Sequence, residues 1–98
     1  MNKPKLERHE YVMLKKNMKE CIRISNVSTR FKKLRNLANL FYYRHCEEIS
    51  PLGFYRLRAL LTQLIWGERY SKRISALRIF MKALRTEYFE VIEFEEVA

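Results

Sequence analysis

Apolar residues return at three- and four-residue steps through most of this chain, the period of helices that bury one side. Between Lys5 and Ile24 the stripe is Tyr11, Leu14, Met18, Cys21 and Ile22, with Arg8, Lys15, Lys16, Lys19 and Arg23 gathered on another face. The spacing predicts a basic amphipathic helix. Ser25, Asn26 and Ser28 follow as turn and N-cap chemistry, because their side-chain oxygens accept from the free amides that open a helix. A second helix is predicted from Thr29 to Cys46, with Val27, Phe31, Leu34, Ala38 and Phe41 as its stripe. Ser50-Pro51 marks the sharpest break: a capping serine precedes a proline at the first helical position, where the missing amide hydrogen costs nothing.

The third helix, Pro51 to Trp66, is apolar through most of its circumference, with Arg56, Thr62 and Gln63 on a narrow polar strip. A helix of that kind is expected at the centre of the core, and Gly67 is expected to end it in a left-handed cap. In the fourth helix, Ser71 to Tyr88, the residues Ile74, Leu77, Met81, Leu84, Tyr88 and Val91 follow steps of 3, 4, 3, 4 and 3, a heptad seam. Arg78, Lys82 and Arg85 lie together on its outer face. The segment from Phe89 onward mixes β-branched and aromatic residues with glutamates. Glutamates oppose the dipole at a helix C-terminus, so the helix should stop near Thr86 to Tyr88. The residues after it suit a short edge strand, although no other segment reads as a sheet for it to join. The expectation is an all-α protein: a helical domain over 1–88 with the third helix central, and an acidic tail over 89–98 whose conformation the pattern leaves open between an edge strand and an extended segment lying on another surface. No internal repeat is visible.

Charge changes the picture. The chain has 20 Lys+Arg against 11 Asp+Glu, and five of the acids (Glu87, Glu90, Glu93, Glu95 and Glu96) fall in its last twelve residues. Residues 1–86 therefore hold 20 basic and 6 acidic residues, a formal +14. A surface this basic draws phosphates or acidic protein faces. With 48% hydrophobic and 13% aromatic residues, the chain is too apolar to be a disordered polycation. Its uncharged runs are too short to span a bilayer, and the N-terminal charge is followed by no apolar signal segment. The expected setting is cytoplasmic, without a membrane.

Candidate chemistry is sparse. Two cysteines, Cys21 and Cys46, and two histidines, His9 and His45, show no metal-ligand spacing, so both cysteines are expected as small buried apolar residues and no cofactor is expected. The chain contains no Asp and no Gly-rich phosphate loop. A nucleophile at Cys46 with His45 as its base is the weakest of three readings, because neighbours in a helix point apart. Basic clusters carry more weight. Lys32, Lys33 and Arg35, with Arg69, Lys72 and Arg73, are the candidate electrostatic, nucleic-acid-facing residues. Tyr42, Tyr43, Arg44 and Trp66 have the Tyr/Trp/Arg composition of protein-binding hot spots and are the candidate anchors.

The basic segments Lys15–Arg23 and Arg30–Arg35, the aromatic Phe41–Tyr43 and the lack of catalytic motifs resemble small bacteriophage accessory proteins that modulate the host RecBCD helicase-nuclease. What the resemblance implies is a non-enzymatic protein that binds a nuclease subunit in the host cytoplasm and redirects its activity. The second reading is a small nucleic-acid-binding regulator, dimeric through the Ile74–Val91 seam.

Overall fold

Four antiparallel helices close into a ring, as seen in a computed structural model that describes residues 3–92. They are α1 (Arg8–Ile22), α2 (Val27–Arg44), α3 (Pro51–Trp66) and α4 (Tyr70–Ala83). Each packs chiefly against two neighbours, in the cyclic order α1, α2, α3, α4. The helix starts follow the sequence chemistry. Asn26 Oδ1 accepts from the Thr29 amide at 2.9 Å, and Ser50 Oγ accepts from the Gly53 amide at 3.0 Å with Pro51 in the first turn. The protein is mostly all-α, with four helices as the periodicity predicts, and no helix among the described residues is long and apolar enough to cross a membrane.

Three expectations are corrected. The first concerns the sheet. Lys5–Glu7 forms a strand, β1, rather than the first turn of α1, and Glu90–Ile92 forms β2. They pair in parallel, with Lys5 opposite Glu90, Leu6 opposite Val91 and Glu7 opposite Ile92. The strand partner absent from the sequence reading is therefore the N-terminal segment of the same chain. α4 gives way to a π-turn over Leu84–Tyr88, closed by the Phe89 amide on the Leu84 carbonyl at 2.8 Å. Phe89 then enters the core beside Leu6, both fully buried, and its ring meets Phe41 edge-on at 5.7 Å. The strand pair clasps the two chain ends across that end of the bundle. The acidic tail beyond Ile92 lies outside the described residues.

The second correction concerns α3, which is a wall of the ring and not its centre. It buries Leu57, Leu61, Leu64 and Ile65, while Leu52, Tyr55 and Trp66 face outward. A ring of four helices asks one stripe of each, so a helix apolar all round must show its surplus to solvent. Gly67 also departs from expectation: its φ of −55° is not left-handed. Its role is close approach, since a Cβ there would stand 2.6 Å from the Gln63 carbonyl oxygen and 2.9 Å from Arg73 Cγ.

The third correction is that the chain does repeat. Helices α1 and α2 correspond to α3 and α4 at an offset of 43 residues, taking Arg8 to Pro51, Val27 to Tyr70 and Arg30 to Arg73. The buried positions of α1 (Leu14, Met18, Cys21, Ile22) map onto those of α3 (Leu57, Leu61, Leu64, Ile65) without a slip. The heptad seam is part of this arrangement. Leu77, Met81 and Leu84 are buried inside the bundle and Ile74, Tyr88 and Val91 pack against the core, so the seam does not offer a dimer surface.

Candidate functional site

Two buried arginines fix the geometry on which the surfaces are built. Arg30 and Arg73 are each the fourth residue of their helix and turn inward. Arg30 donates from Nε to the Ile65 carbonyl at 2.8 Å and from Nη1 to the Ile24 carbonyl at 2.6 Å. Arg73 donates from Nε to the Ile22 carbonyl and from Nη1 to the Gly67 carbonyl, both at 2.8 Å. These carbonyls end α1 and α3, whose dipoles present partial negative charge at the same end of the ring. Each guanidinium thus ties its own preceding turn to the opposite hairpin. Burial, reinforced by the charge of Arg73, lowers the Arg30 guanidinium below its usual range. Arg73 is therefore not the exposed steering residue expected from the sequence; its charge is used inside the bundle.

The α2/α3 side gathers aromatic rings and arginines. Tyr42 stacks on Phe54 at 3.9 Å, and the Arg58 guanidinium lies over Phe54 at 5.9 Å. Further along, Phe31 meets Trp66 at 6.2 Å, with Arg35 over Phe31 at 5.7 Å. These are two Arg–aromatic–aromatic stacks, one near each end of the α2/α3 seam. Tyr42 and Phe31 lie eleven residues apart on α2, about 16 Å at the helical rise. Trp66 is 57% exposed and Tyr55, on the outer side of α3 between the stacks, is 72% exposed. Neither α2 nor α3 contains an acidic residue.

The anchors expected from sequence are only partly brought together. Tyr42 and Trp66 share this side at opposite ends. Tyr43, 83% exposed, stands outward from α2, opposite its buried stripe. Arg44 turns the other way, toward α1, with Nη1 3.7 Å from Glu10. Lys33 also faces α1, lining a groove of about 450 Å³ with Leu37 and Leu40. Of the other basic candidates, Arg35 joins the aromatic side, while Lys32, Arg69 and Lys72 are exposed on α2 and at the start of α4. Phe31, Phe54 and Arg58 were missed as members of the site, and Tyr55, which belongs to the same hot-spot composition in the sequence, was not among the expected anchors. For Tyr55 a signal was present: Leu52, Tyr55, Ala59, Thr62 and Trp66 follow steps of 3, 4, 3 and 4, a second stripe on a helix already supplied with one.

The titratable groups are arranged for structure. His45 is buried between Glu10 Oε1, 2.7 Å from Nε2, and Glu48 Oε2, 3.1 Å from Nδ1, and its ring packs on Phe41 and Phe89. Both ring nitrogens are thereby engaged away from Cys46. Cys46 is exposed, contrary to expectation, because it follows the end of α2; Cys21 is buried, and burial raises its thiol above the ordinary range. Among the described residues no group of three His, Cys, Asp or Glu side chains is placed to hold a metal ion.

The class that fold and surfaces define is a clasped antiparallel four-helix bundle with two chemically different outer sides. Comparison of the chain with protein-family models, curated proteins and solved structures returned no match.

Proposed function

We propose that this protein is a non-enzymatic binding module of the cytoplasm that docks on a nucleic-acid-processing enzyme and modulates it. The α2/α3 side supports the reading. Tyr, Trp and Arg supply most of the energy at protein interfaces, because large rings are desolvated at little conformational cost and guanidinium groups fork onto carboxylates. Here Phe31 and Phe54 lie under Arg35 and Arg58 and hold Trp66 and Tyr42 against them, so less side-chain entropy is lost on binding by those rings. Two helices without an acidic residue select a partner surface rich in carboxylates.

Replacing both Tyr55 and Trp66 with alanine tests the reading. Neither ring is buried in the bundle, so the fold should be kept, with an unchanged helical circular dichroism spectrum. Wild-type protein should retain a near-stoichiometric enzyme subunit from nuclease-treated bacterial lysate. The double variant should lose about 700-fold in affinity for that subunit, as two hot-spot truncations of about 2 kcal/mol each require. Ile79→Ala, on the exposed side of α4, should bind as wild type. Retention by the double variant would refute the reading.

A further inference from the structure

We infer that the α1/α4 side is a separate binding surface that tracks the phosphate backbone of duplex nucleic acid. The ring order places it opposite the α2/α3 side. Two contacts fix how α1 and α4 meet: Tyr11 donates to the Met81 carbonyl at 3.3 Å, and Arg73 donates to the Ile22 carbonyl at 2.8 Å. Lys15 and Lys19 follow Tyr11 at successive steps of four. On α4 and its π-turn, Arg78 precedes Met81 by three and Arg85 follows it by four, with Lys82 adjacent. All five side chains are exposed, and they form two antiparallel rows along the outside of the α1/α4 seam.

The ends of the rows are also cationic. Lys3 Nζ donates to the Thr86 carbonyl at 2.8 Å, bringing its charge beside Arg85. At the other end a hydrogen bond to the Tyr70 side chain raises the Arg23 guanidinium further above its usual range. Arg85 and Tyr70 are fifteen residues apart, so the stripe is about 22 Å long, the rise of about six base pairs of duplex.

Carboxylates are few along the stripe: among the described residues of α1, α4 and the π-turn, the one nearest the rows is Glu87, two residues beyond Arg85 at one end. α4 contains none, and the two glutamates of α1, Glu10 and Glu20, line the grooves toward α2. Aromatic rings are few: Tyr11 is half-buried and donates to the Met81 carbonyl, and Tyr70 stands exposed at one end. Under the 43-residue repeat, Arg58 of the aromatic side corresponds to Lys15, Phe54 to Tyr11, Arg35 to Arg78 and Tyr42 to Arg85. Three of these pairs match in type, and Tyr42 against Arg85 replaces a ring by a cation. A row of cations with a single exposed ring at one end suits a phosphate backbone better than an acidic protein patch, whose affinity needs desolvated anchors. Such contacts position a duplex without reading its bases.

The test is binding of the wild-type protein to a mixed-sequence, fluorescent DNA duplex of about 20 base pairs, titrated with salt. With five phosphates neutralised, log affinity should fall against log salt with a slope of about −4.5, a loss of a few hundredfold between about 50 and 200 mM. Lys15→Gln/Arg78→Gln/Lys82→Gln should bring the slope to about −2, whereas Lys32→Gln/Lys33→Gln/Lys72→Gln, which removes the same charge elsewhere, should leave it near the wild-type value. In the unmodified protein, duplex should shield Lys15, Lys19 and Lys82 from acetylation more than Lys32 or Lys72. Equal losses in the two triple variants, equal acetylation throughout, or equally tight binding of polyglutamate would overturn the assignment. It does not rest on the aromatic side, so Tyr55→Ala/Trp66→Ala should bind duplex as wild type does.

Discussion

Arg73→Ala is expected to destabilise the protein by about 3–5 kcal/mol, more than any change at the exposed basic residues. The loss strands the Ile22 and Gly67 carbonyls, which have the Arg73 guanidinium as a buried donor across two helix ends. A hydrogen bond to a charged group contributes about 1.5–3 kcal/mol, and an acceptor left buried without a partner costs about 1–3 kcal/mol. The positive charge also meets the negative ends of two helix dipoles. The figure is a large share of the total stability of a domain this small. Urea denaturation should show a lower midpoint with the slope unchanged, while Lys72→Ala, one residue away and exposed, should move the midpoint little. Arg30→Ala should behave like Arg73→Ala, and the double variant should lose more than the sum, because each single change also relieves the repulsion between the two guanidiniums and the double variant relieves it only once. A neutral effect of Arg73→Ala would mean that the inward geometry is wrong.

Phe89→Ala should cost a similar amount, about 3–5 kcal/mol, by opening a cavity where the strand pair meets the bundle. Its ring is fully buried, edge-on to Phe41 and 5.2 Å from His45. Loss of the ring should also loosen β2, so amide exchange at Val91 and Leu6 should accelerate while the amides of α3 keep their relative order of protection. A truncation that begins at Phe89 should lose at least as much as the substitution, whereas one that begins after Ile92 leaves the clasp in place. Phe89→Ala with wild-type stability would show that the chain end is an appendage and not a plug.

The contrast between these residues explains how much was legible in the sequence. Helix number and phase could be read because the core is built from local repeats: Ser50-Pro51 and Asn26 announce helix starts by chemistry that acts within three residues. The strand pair could not be read, since Lys5–Glu7 buries one side chain, Leu6, and its partner is 85 residues further on. Nor could Arg73 be told from Lys72 by composition; both follow a turn in a basic run. The available clue was positional, since Arg30 and Arg73 occupy the same place in successive helical hairpins, but the correspondence lies in burial rather than in side-chain identity and emerges only when burial is compared. The binding surfaces were half visible. Rings and cations were seen as types, yet their grouping depends on which helices are neighbours. Ring closure divides Tyr42 and Trp66 from Arg44, and brings Lys15 beside Arg78.

A photo-crosslinking amino acid placed singly at position 55 or 79, with covalent products resolved after nuclease treatment, shows which side of the bundle a protein partner grips. Both positions are exposed and lie on different sides of the bundle. The expected result is one discrete adduct with an enzyme subunit from position 55 and none from position 79. Adducts of equal yield from both positions, or none from either, would contradict a partner gripped by the ring-bearing side of α2 and α3.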